Sequence, residues 1–362
     1  MKNAMTIKLL ATILAIGTAG FAWSQGITTP RTASPAAQVS QTIGISTVKV
    51  EYSRPSVRGR QVWGTLVPYG WNVQGFGAGN SAPWRAGANE NTVLELSHPA
   101  KVAGQMVPAG RYGLFFVINA DNSGEVILSK DNRSWGSFWY RPEQDQLRAK
   151  IQLRDIPHTE LLTYDFINLD KNSAELALNW EKKQFPVKIE FAVDELVIAN
   201  AEEELKGPVG FNWQGYNSAA NYALQNNIAS DKALGWIDQA IAQNKSFTTL
   251  IIKSKLLKQA GKTAEAEKIE ADAMAVGTEV ELNQFGYQLL GAGKHDEAIK
   301  IMLINTKNNP ESANAWDSLG EAYAIKGDKE NAVKAFKKSL SMNPPANVKA
   351  NSEKYLKQLG AM

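Results

Sequence analysis

Cysteine is absent from the 362 residues. That absence excludes disulfides, thiolate zinc sites and thiol nucleophiles, and it removes the lipidated cysteine that a bacterial lipoprotein needs. Histidine is nearly as scarce: His98, His158 and His295 stand far apart, and none belongs to an H-x-H or H-E-x-x-H pattern. There is no zinc signature, no G-x-S-x-G elbow and no P-loop, so the sequence supports no metal, no cofactor and no nucleophilic serine. Long apolar runs are missing too. The one stretch that approaches a membrane span, Leu9 to Trp23, has 15 residues, short of the roughly 20 that cross a bilayer. With Lys2 and Lys8 before it and Ala22-Trp23-Ser24 ahead of Gln25, it reads as a secretory signal over residues 1–24, not as an anchor. The expectation is an exported protein, periplasmic or extracellular, with no membrane insertion once the signal is removed.

Arginine is missing from the second half. All ten arginines lie between Arg31 and Arg154, whereas residues 201–362 carry 19 lysines and 19 acids. Lysine suits a solvated helix face, while the planar fork of arginine suits bidentate pairing with carboxylate or phosphate. If the protein grips an anion, the first half does it; the plain alternative is that these arginines tie loops and sheet edges to nearby acids. Without residues 1–24 the chain holds 37 basic and 36 acidic residues. Such a balance gives no electrostatic reason to expect nucleic acid as a partner, because nucleic acid selects a strongly basic surface.

Length and a 44% hydrophobic content allow two cores. Residues 25–35, with two prolines and small polar residues, read as a linker. From 36 to 192 the period is two. Val48, Val50 and Tyr52 alternate with polar residues, as do Val187, Ile189 and Phe191, and further strands are expected at 92–97, 111–118, 125–129, 147–154, 160–169 and 174–180. Many short strands without intervening helices predict an all-β antiparallel sandwich. Asp121-Asn122-Ser123-Gly124 lacks EF-hand spacing and reads as a hairpin turn. A connecting helix is expected over 193–210, with Asp194 as its N-cap and Gly207-Pro208 as its stop.

Beyond it the period becomes helical. Trp316, Leu319, Gly320 and Tyr323 recur at i, i+3, i+4 and i+7, and Ala332, Phe336 and Leu340 repeat the spacing after a break at Gly327. With Pro344, and with Ser339 in a position usually held by alanine, the segment resembles a tetratricopeptide repeat. Projecting its offsets backwards marks Ala298 and Ala264, and a candidate capping box, Thr278 to Glu281, opens the preceding repeat. Ala233, Ile237 and Ala240 support an earlier one. The expectation is an all-α solenoid over 211–345, closed by a capping helix over 346–362. The resemblance implies a protein or peptide partner. In such arrays the second, fifth and ninth positions of each first helix line the concave face, which here means Val280, Asn283 and Tyr287, then Asn314, Asp317 and Glu321. Their acid and amide character fits an extended or helical segment with some basic character; the alternative is a merely solvated face.

The densest cluster of unusual residues runs from Tyr52 to Glu90. It holds Arg54-Pro55, Arg58-Gly59-Arg60, Trp63-Gly64, Pro68-Tyr69-Gly70 and Trp84-Arg85 through Asn89-Glu90. With Pro108-Ala109-Gly110-Arg111-Tyr112 and Trp135-Gly136 further on, these motifs resemble domain-of-unknown-function family 2911 over about residues 36–192. The resemblance implies an exported bacterial β domain, often joined to tetratricopeptide repeats, with no established activity. Where the family has a short link, Trp71 to Pro83 forms a Gly- and Asn-rich insertion that can cover or reshape a site.

Physically, Arg54, Arg58, Arg60 and Arg85 beside Trp84, Asn89 and Glu90 are candidates to hold a carboxylate, a phosphate or an acidic sugar. Trp135, Phe138, Trp139 and Tyr140 add flat apolar surface for sugar rings or peptide side chains. The competing explanation makes the tryptophans core and pairs the arginines with carboxylates such as Glu90 or Asp145. A glycan-directed enzyme working through the Arg58 to Glu90 region, with Glu90 and Asp145 as an acid/base pair, is the second functional expectation. A non-catalytic binding and scaffold protein is the first.

Overall fold

The computed structural model describes residues 33–362; the expected signal and most of the linker therefore lie outside the described residues. Contacts divide the chain between Glu190 and Phe191.

The first unit is a sandwich of two antiparallel sheets. One sheet has the order β1 (Ala36–Ile43), β2 (Ser46–Ser53), β5 (Val93–Leu96), β8 (Gly110–Ile118), β9 (Ser123–Ser129) and β10 (Asp145–Gln152). The other has the order β11 (Arg154–Ile167), β12 (Ser173–Glu190), β6 (Ala100–Val102) and β7 (Gln105–Val107), and a two-stranded hairpin joins β3 (Asn72–Val73) to β4 (Ser81–Ala82). Ring contacts across the interior hold the sheets face to face: Tyr52 meets Tyr164 edge-on at 4.7 Å, and Phe116 lies 5.0 Å from Phe185. Between them sits an aromatic knot of Trp63, Trp84 and Trp180, in which Trp84 and Trp180 stack at 5.8 Å.

Strand β8 does not alternate. Tyr112 to Ile118 are all buried, because both faces of the sheet are covered there, and a strand covered on both faces reads as a continuous apolar run. Phe116 faces the aromatic knot, while Phe115, Val117 and Ile127 pack beneath Ala82, Tyr140 and Trp71. The Trp71 to Pro83 insertion thus carries part of the cover over the outer face.

Several strand limits differ from the periodic reading. Residues 174–180 and 187–191, expected as two strands, fall almost entirely in one, β12, because Glu181 and Lys183 of the charged run stay paired with β11, whose extra residues bulge on either side of the Thr159–Glu181 pair. Arg154, expected to end a strand, begins one: Leu153 is the crossing point between sheets, its N–H held by the Asn122 carbonyl at 2.9 Å. Asp121 turns β8 into β9, its carboxylate accepting from the Ser123 N–H at 3.0 Å.

The second unit is helical. After α1 (Val193–Glu204) come the pairs α2 (Trp213–Asn226) and α3 (Ser230–Gln243), α4 (Phe247–Gln259) and α5 (Thr263–Val276), α6 (Glu279–Gly291) and α7 (His295–Asn308), α8 (Ala313–Lys326) and α9 (Lys329–Leu340), then α10 (Ala346–Gln358). Ala192, not Asp194, precedes α1; Asp194 lies in its first turn and accepts the Tyr222 hydroxyl at 2.7 Å. Each second helix completely buries the alanine at its fourth residue: Ala233, Ala266, Ala298 and Ala332. Ala266 replaces the expected Ala264, which is exposed. The cause is the link between repeats: only Gly277 and Thr278 separate α5 from α6, whereas residues 309–312 separate α7 from α8. The capping box at α6 forms in both directions, with Glu281 N–H on Thr278 Oγ1 at 3.3 Å and Thr278 N–H on Glu281 Oε2 at 3.0 Å.

Gly320 shows why the repeat needs its glycine. A Cβ there would sit 2.8 Å from the ring of Phe336, so the two helices of the pair approach through that hydrogen. Ser339, in the alanine position, donates its hydroxyl to the Ala313 carbonyl at 2.8 Å and ties the end of α9 to the start of α8. Helix α10 takes the place of a further first helix. Where Trp316, Leu319, Gly320 and Tyr323 of α8 meet a second helix, the corresponding residues one repeat on are Ala350, Glu353, Lys354 and Lys357. One small and three charged side chains stand there in place of the apolar set.

Candidate ligand-binding cleft

The cleft follows from a mismatch in strand length. Strand β5 pairs with β8 over only four residues, Val93–Leu96 against Gly110–Gly113, so the edge of β8 from Leu114 onward needs other partners. An uncovered strand edge leaves N–H and C=O groups unmatched. The chain between 68 and 92 supplies the match: Thr92 accepts from Leu114 at 2.8 Å, Trp84 exchanges both bonds with Phe116 at 2.8 and 2.9 Å, and Gly70 donates to Ile118 at 2.9 Å. Looping between these fixed points, the segment encloses a cleft of about 590 Å³.

Phe116, Ile118, Trp84 and Trp180 give the cleft an apolar lining, and Arg60, Arg85, Asn72, Gln74, Asn89 and Ser137 give it polarity. No carboxylate occurs among the described residues that line it. Arg85 is the central feature. One of its N–H groups donates to the Asn89 carbonyl at 2.7 Å, and its guanidinium lies 4.9 Å over the ring of Phe138. Burial lowers its pKa from the usual arginine value, and no acidic neighbour offsets that shift. Even half-buried, a cation without an anion carries part of the cost of leaving water. The fold nevertheless makes room for it: Gly136 has φ +64°, and a Cβ there would collide with the Arg85 guanidinium. Nearby, the buried Trp180 leaves its indole N–H without an acceptor.

Four of the nine residues expected at a ligand site, Arg60, Trp84, Arg85 and Asn89, line this cleft. The other five do not. Arg54 is spent on β11, donating to the Leu162 carbonyl at 2.9 Å and Thr163 Oγ1 at 2.6 Å. Arg58 is exposed in a left-handed turn and offers its backbone N–H to Glu160, at 2.9 Å. Glu90 lines a separate depression with Glu51, Asn132 and Arg133. Trp135 is exposed outside the lining. Asp145 accepts the Tyr140 hydroxyl at 2.7 Å and Arg148 at 2.6 Å, and Arg148 in turn covers the Trp71 ring at 4.6 Å. Burial and the Asp145 carboxylate push the Tyr140 hydroxyl pKa upward. The expected Glu90 and Asp145 acid/base pair is therefore corrected: the two carboxyls serve different surfaces, and both oxygens of Asp145 are engaged.

Pairing with local acids, the plain alternative for arginine, holds elsewhere on the domain. Arg111 bridges Glu51 and Glu95 across β2, β5 and β8, and Arg154 grips Glu175. Arg60 is intermediate, its guanidinium on the carbonyls of Ser56 and Val57.

In the helical unit the expected partner-binding residues are mostly occupied. Asp317 is buried and accepts from Asn351 Nδ2 at 2.8 Å and from the Ser352 hydroxyl. Glu321 receives the hydroxyls of Tyr287 at 2.9 Å and Tyr355 at 3.1 Å, and Asn314 donates to Glu279 at 3.2 Å. These bonds run from each first helix to the next, about one repeat apart. Asp317 is thus corrected from a partner contact to a stacking contact. Asn283 differs, since its side-chain oxygen is buried without a hydrogen-bond partner. Val280, 63% exposed, and the Tyr287 ring remain open on α6.

Residues 34–189 match the family model described as protein of unknown function (DUF2911), and residues 313–345 match a tetratricopeptide repeat. The chain joins a DUF2911 domain to tetratricopeptide repeats. A 59-residue stretch is 37% identical to Superkiller complex protein 3 of Mus musculus, covering 16% of this chain and 4% of that protein. The chain therefore corresponds to only a small part of that relative's length. Among solved structures, that of MamA aligns at 20% identity and TM-score 0.27, over 42% of this chain and 89% of the other. YrrB, described as a TPR protein with an unusual peptide-binding site, aligns at 20% identity and TM-score 0.26, over 44% and 84%.

The cleft combines what the sequence marks and what it hides. Arg60, Trp84, Arg85 and Asn89 stand in a conspicuous cluster, but Asn72 and Gln74 come from the insertion, and Phe116 and Trp180 from strands with no local sign of a site. The sequence signal for the buried side of Arg85 is Gly136, in the Trp135-Gly136 pair, whose missing side chain leaves the space that Arg85 fills.

Proposed function

We propose that this is an exported, non-catalytic binding protein whose DUF2911 cleft takes the anionic group of a ligand while its helical repeats hold a protein partner. The observation that carries the first part is the cleft lining, two arginines and no carboxylate, with Arg85 set into it unmatched. An anion supplied by a ligand would gain a charge-assisted, bidentate contact in a partly dry setting. The tetratricopeptide match supports a protein–protein interaction role for the helical half. Export is supported by the signal-like plan of residues 1–24. A periplasmic enzyme has less support, because the two carboxyls it would use do not share the cleft.

An NMR titration of the chain from Gln25 onward tests the ligand part. D-glucuronate should shift resonances of the cleft segments saturably, uncharged methyl glucoside should not, and Arg85→Met should abolish the response. Equal shifts by both sugars, or an Arg85→Met variant that binds normally, would refute it. Intact-mass measurement of exported protein tests the leader: a mass starting near Gln25 is expected, and full-length chain held in the membrane fraction contradicts it.

A further inference from the structure

We infer that the ligand is an acidic oligosaccharide, with its charged sugar in the cleft and a neighbouring sugar ring on an exposed aromatic shelf formed by Phe76 and Trp139. The inference rests on the reading of the cleft as an anion site and adds the class of molecule that carries the anion.

Phe76 lies in the turn between β3 and β4 and is 64% exposed, while Trp139 is 41% exposed. Their rings stand 5.4 Å apart in an edge-on arrangement, and Phe76 makes a similar contact with Phe138 at 5.6 Å. The shelf is pinned from below. The Ala78 N–H donates to the Phe138 carbonyl at 2.7 Å, and Gly77 lies so close to that carbonyl that any Cβ would collide with it. Large aromatic rings fixed in water are a feature of recognition surfaces, where a rigid apolar face is offered at little entropic cost.

Two links make the shelf continuous with the cleft. Gly75, immediately before Phe76, lines the cleft, and Arg85, which also lines it, carries its guanidinium over Phe138. A ligand whose charge meets Arg85 therefore has its next unit beside Phe138, at the shelf. The chemistry selects the class. One unmatched arginine and no lysine in the lining suit a monoanionic carboxylate better than a phosphate dianion. Asn72, Gln74 and Asn89 supply both amide donors and acceptors for hydroxyl groups, and pyranose rings present flat C–H faces to aromatic surfaces.

The test is calorimetric titration of the chain from Gln25 onward with D-galacturonate, tri-galacturonate and neutral maltotriose. Tri-galacturonate should bind about tenfold more tightly than the monomer, the scale of one added aromatic contact with its buried area. The double variant Phe76→Ala with Trp139→Ala should bring the trimer down to the monomer's affinity and leave the monomer unchanged. Arg85→Met should remove both acids, and maltotriose should not bind. If the monomer binds through Arg85 but the trimer gains nothing, or the double variant keeps the gain, the oligosaccharide inference fails while the anion cleft stands. If neither acid binds, both fail; if maltotriose binds as well as tri-galacturonate, the requirement for acid fails. Phe76→Ala alone gives the same comparison where the double variant melts early.

Discussion

The two halves of this chain treat polar side chains in opposite ways. In the helical half, groups that look available for a partner are spent on one another: Asp317 on Asn351 and Ser352, Glu321 on Tyr287 and Tyr355, Asn314 on Glu279. In the β half Arg111, Arg148 and Arg154 are likewise matched to acids, yet Arg85 is half-buried with only a backbone carbonyl and an aromatic face for company. Matching the polar groups between first helices adds specificity to a stack whose apolar contacts alone would tolerate slippage. Leaving one cation unmatched in a cleft sacrifices stability, and a ligand is what restores it. Availability is therefore marked by the missing partner, not by residue type or repeat position.

Substitutions that remove a matched group should cost more than those that remove the unmatched one. Asp317→Ala strands two donors of α10 and should destabilise the helical half by about 2 kcal/mol, seen as a fall of roughly 4–8 °C in its melting transition. Gly320→Ala pushes a methyl group against Phe336 and should cost about 1–3 kcal/mol, measured by urea unfolding. Wild-type stability in either case would mean that the contacts between helices are looser than described.

Acidity sharpens the same contrast. Burial raises the pKa of Asp317 above the usual carboxylate value, with Glu321 adding to the shift and the Ser352 and Asn351 bonds opposing it. The folded state thus holds this proton more tightly than the unfolded one. Its contribution to stability is most favourable below the unfolded value near ~4 and declines as pH climbs through the folded value. Asp317→Asn should flatten that slope in melts collected from about pH 4 to 7; an unchanged slope would assign it to other groups. The smallest matched effect is expected at the surface, where Arg111→Ala loses the exposed pairs with Glu51 and Glu95 for about 0.2–1 kcal/mol, less at high salt. A larger, salt-independent loss would show that this network supports the sheet.

Legibility followed the same physical divide. The α8–α9 pair could be read residue by residue, because Trp316, Gly320, Ala332 and Phe336 make local contacts at fixed spacing. The register slipped at Ala264 because the short link at Gly277-Thr278 changes the period without disturbing either helix pattern. In the β half, alternation found most strands but not the joining of residues 173–190, where the polar run Glu181-Lys182-Lys183 interrupts the pattern while pairing with β11 continues. The candidate cleft was half legible. Trp84, Arg85 and Asn89 are neighbours in sequence and Arg60 belongs to the same motif-rich stretch, whereas Trp180 and Phe116 reach the cleft only through sheet pairing and ring stacking. Asp317 misled for a related reason: its position in the repeat indicates a face, but Asn351 and Ser352, which occupy it, lie a full repeat away.

Arg85 is the decisive residue, and thermal unfolding of Arg85→Met with and without D-glucuronate tests its role most directly. Replacing an unpaired, partly buried cation by an apolar side chain of similar length should leave the ligand-free melting temperature of the β half unchanged or raised, within about 1 kcal/mol. The ligand-induced rise seen for the wild type should disappear. A variant that melts as early as Asp317→Ala yet keeps its response to glucuronate would contradict the account, because Arg85 would then be a structural residue and the anion would be held elsewhere.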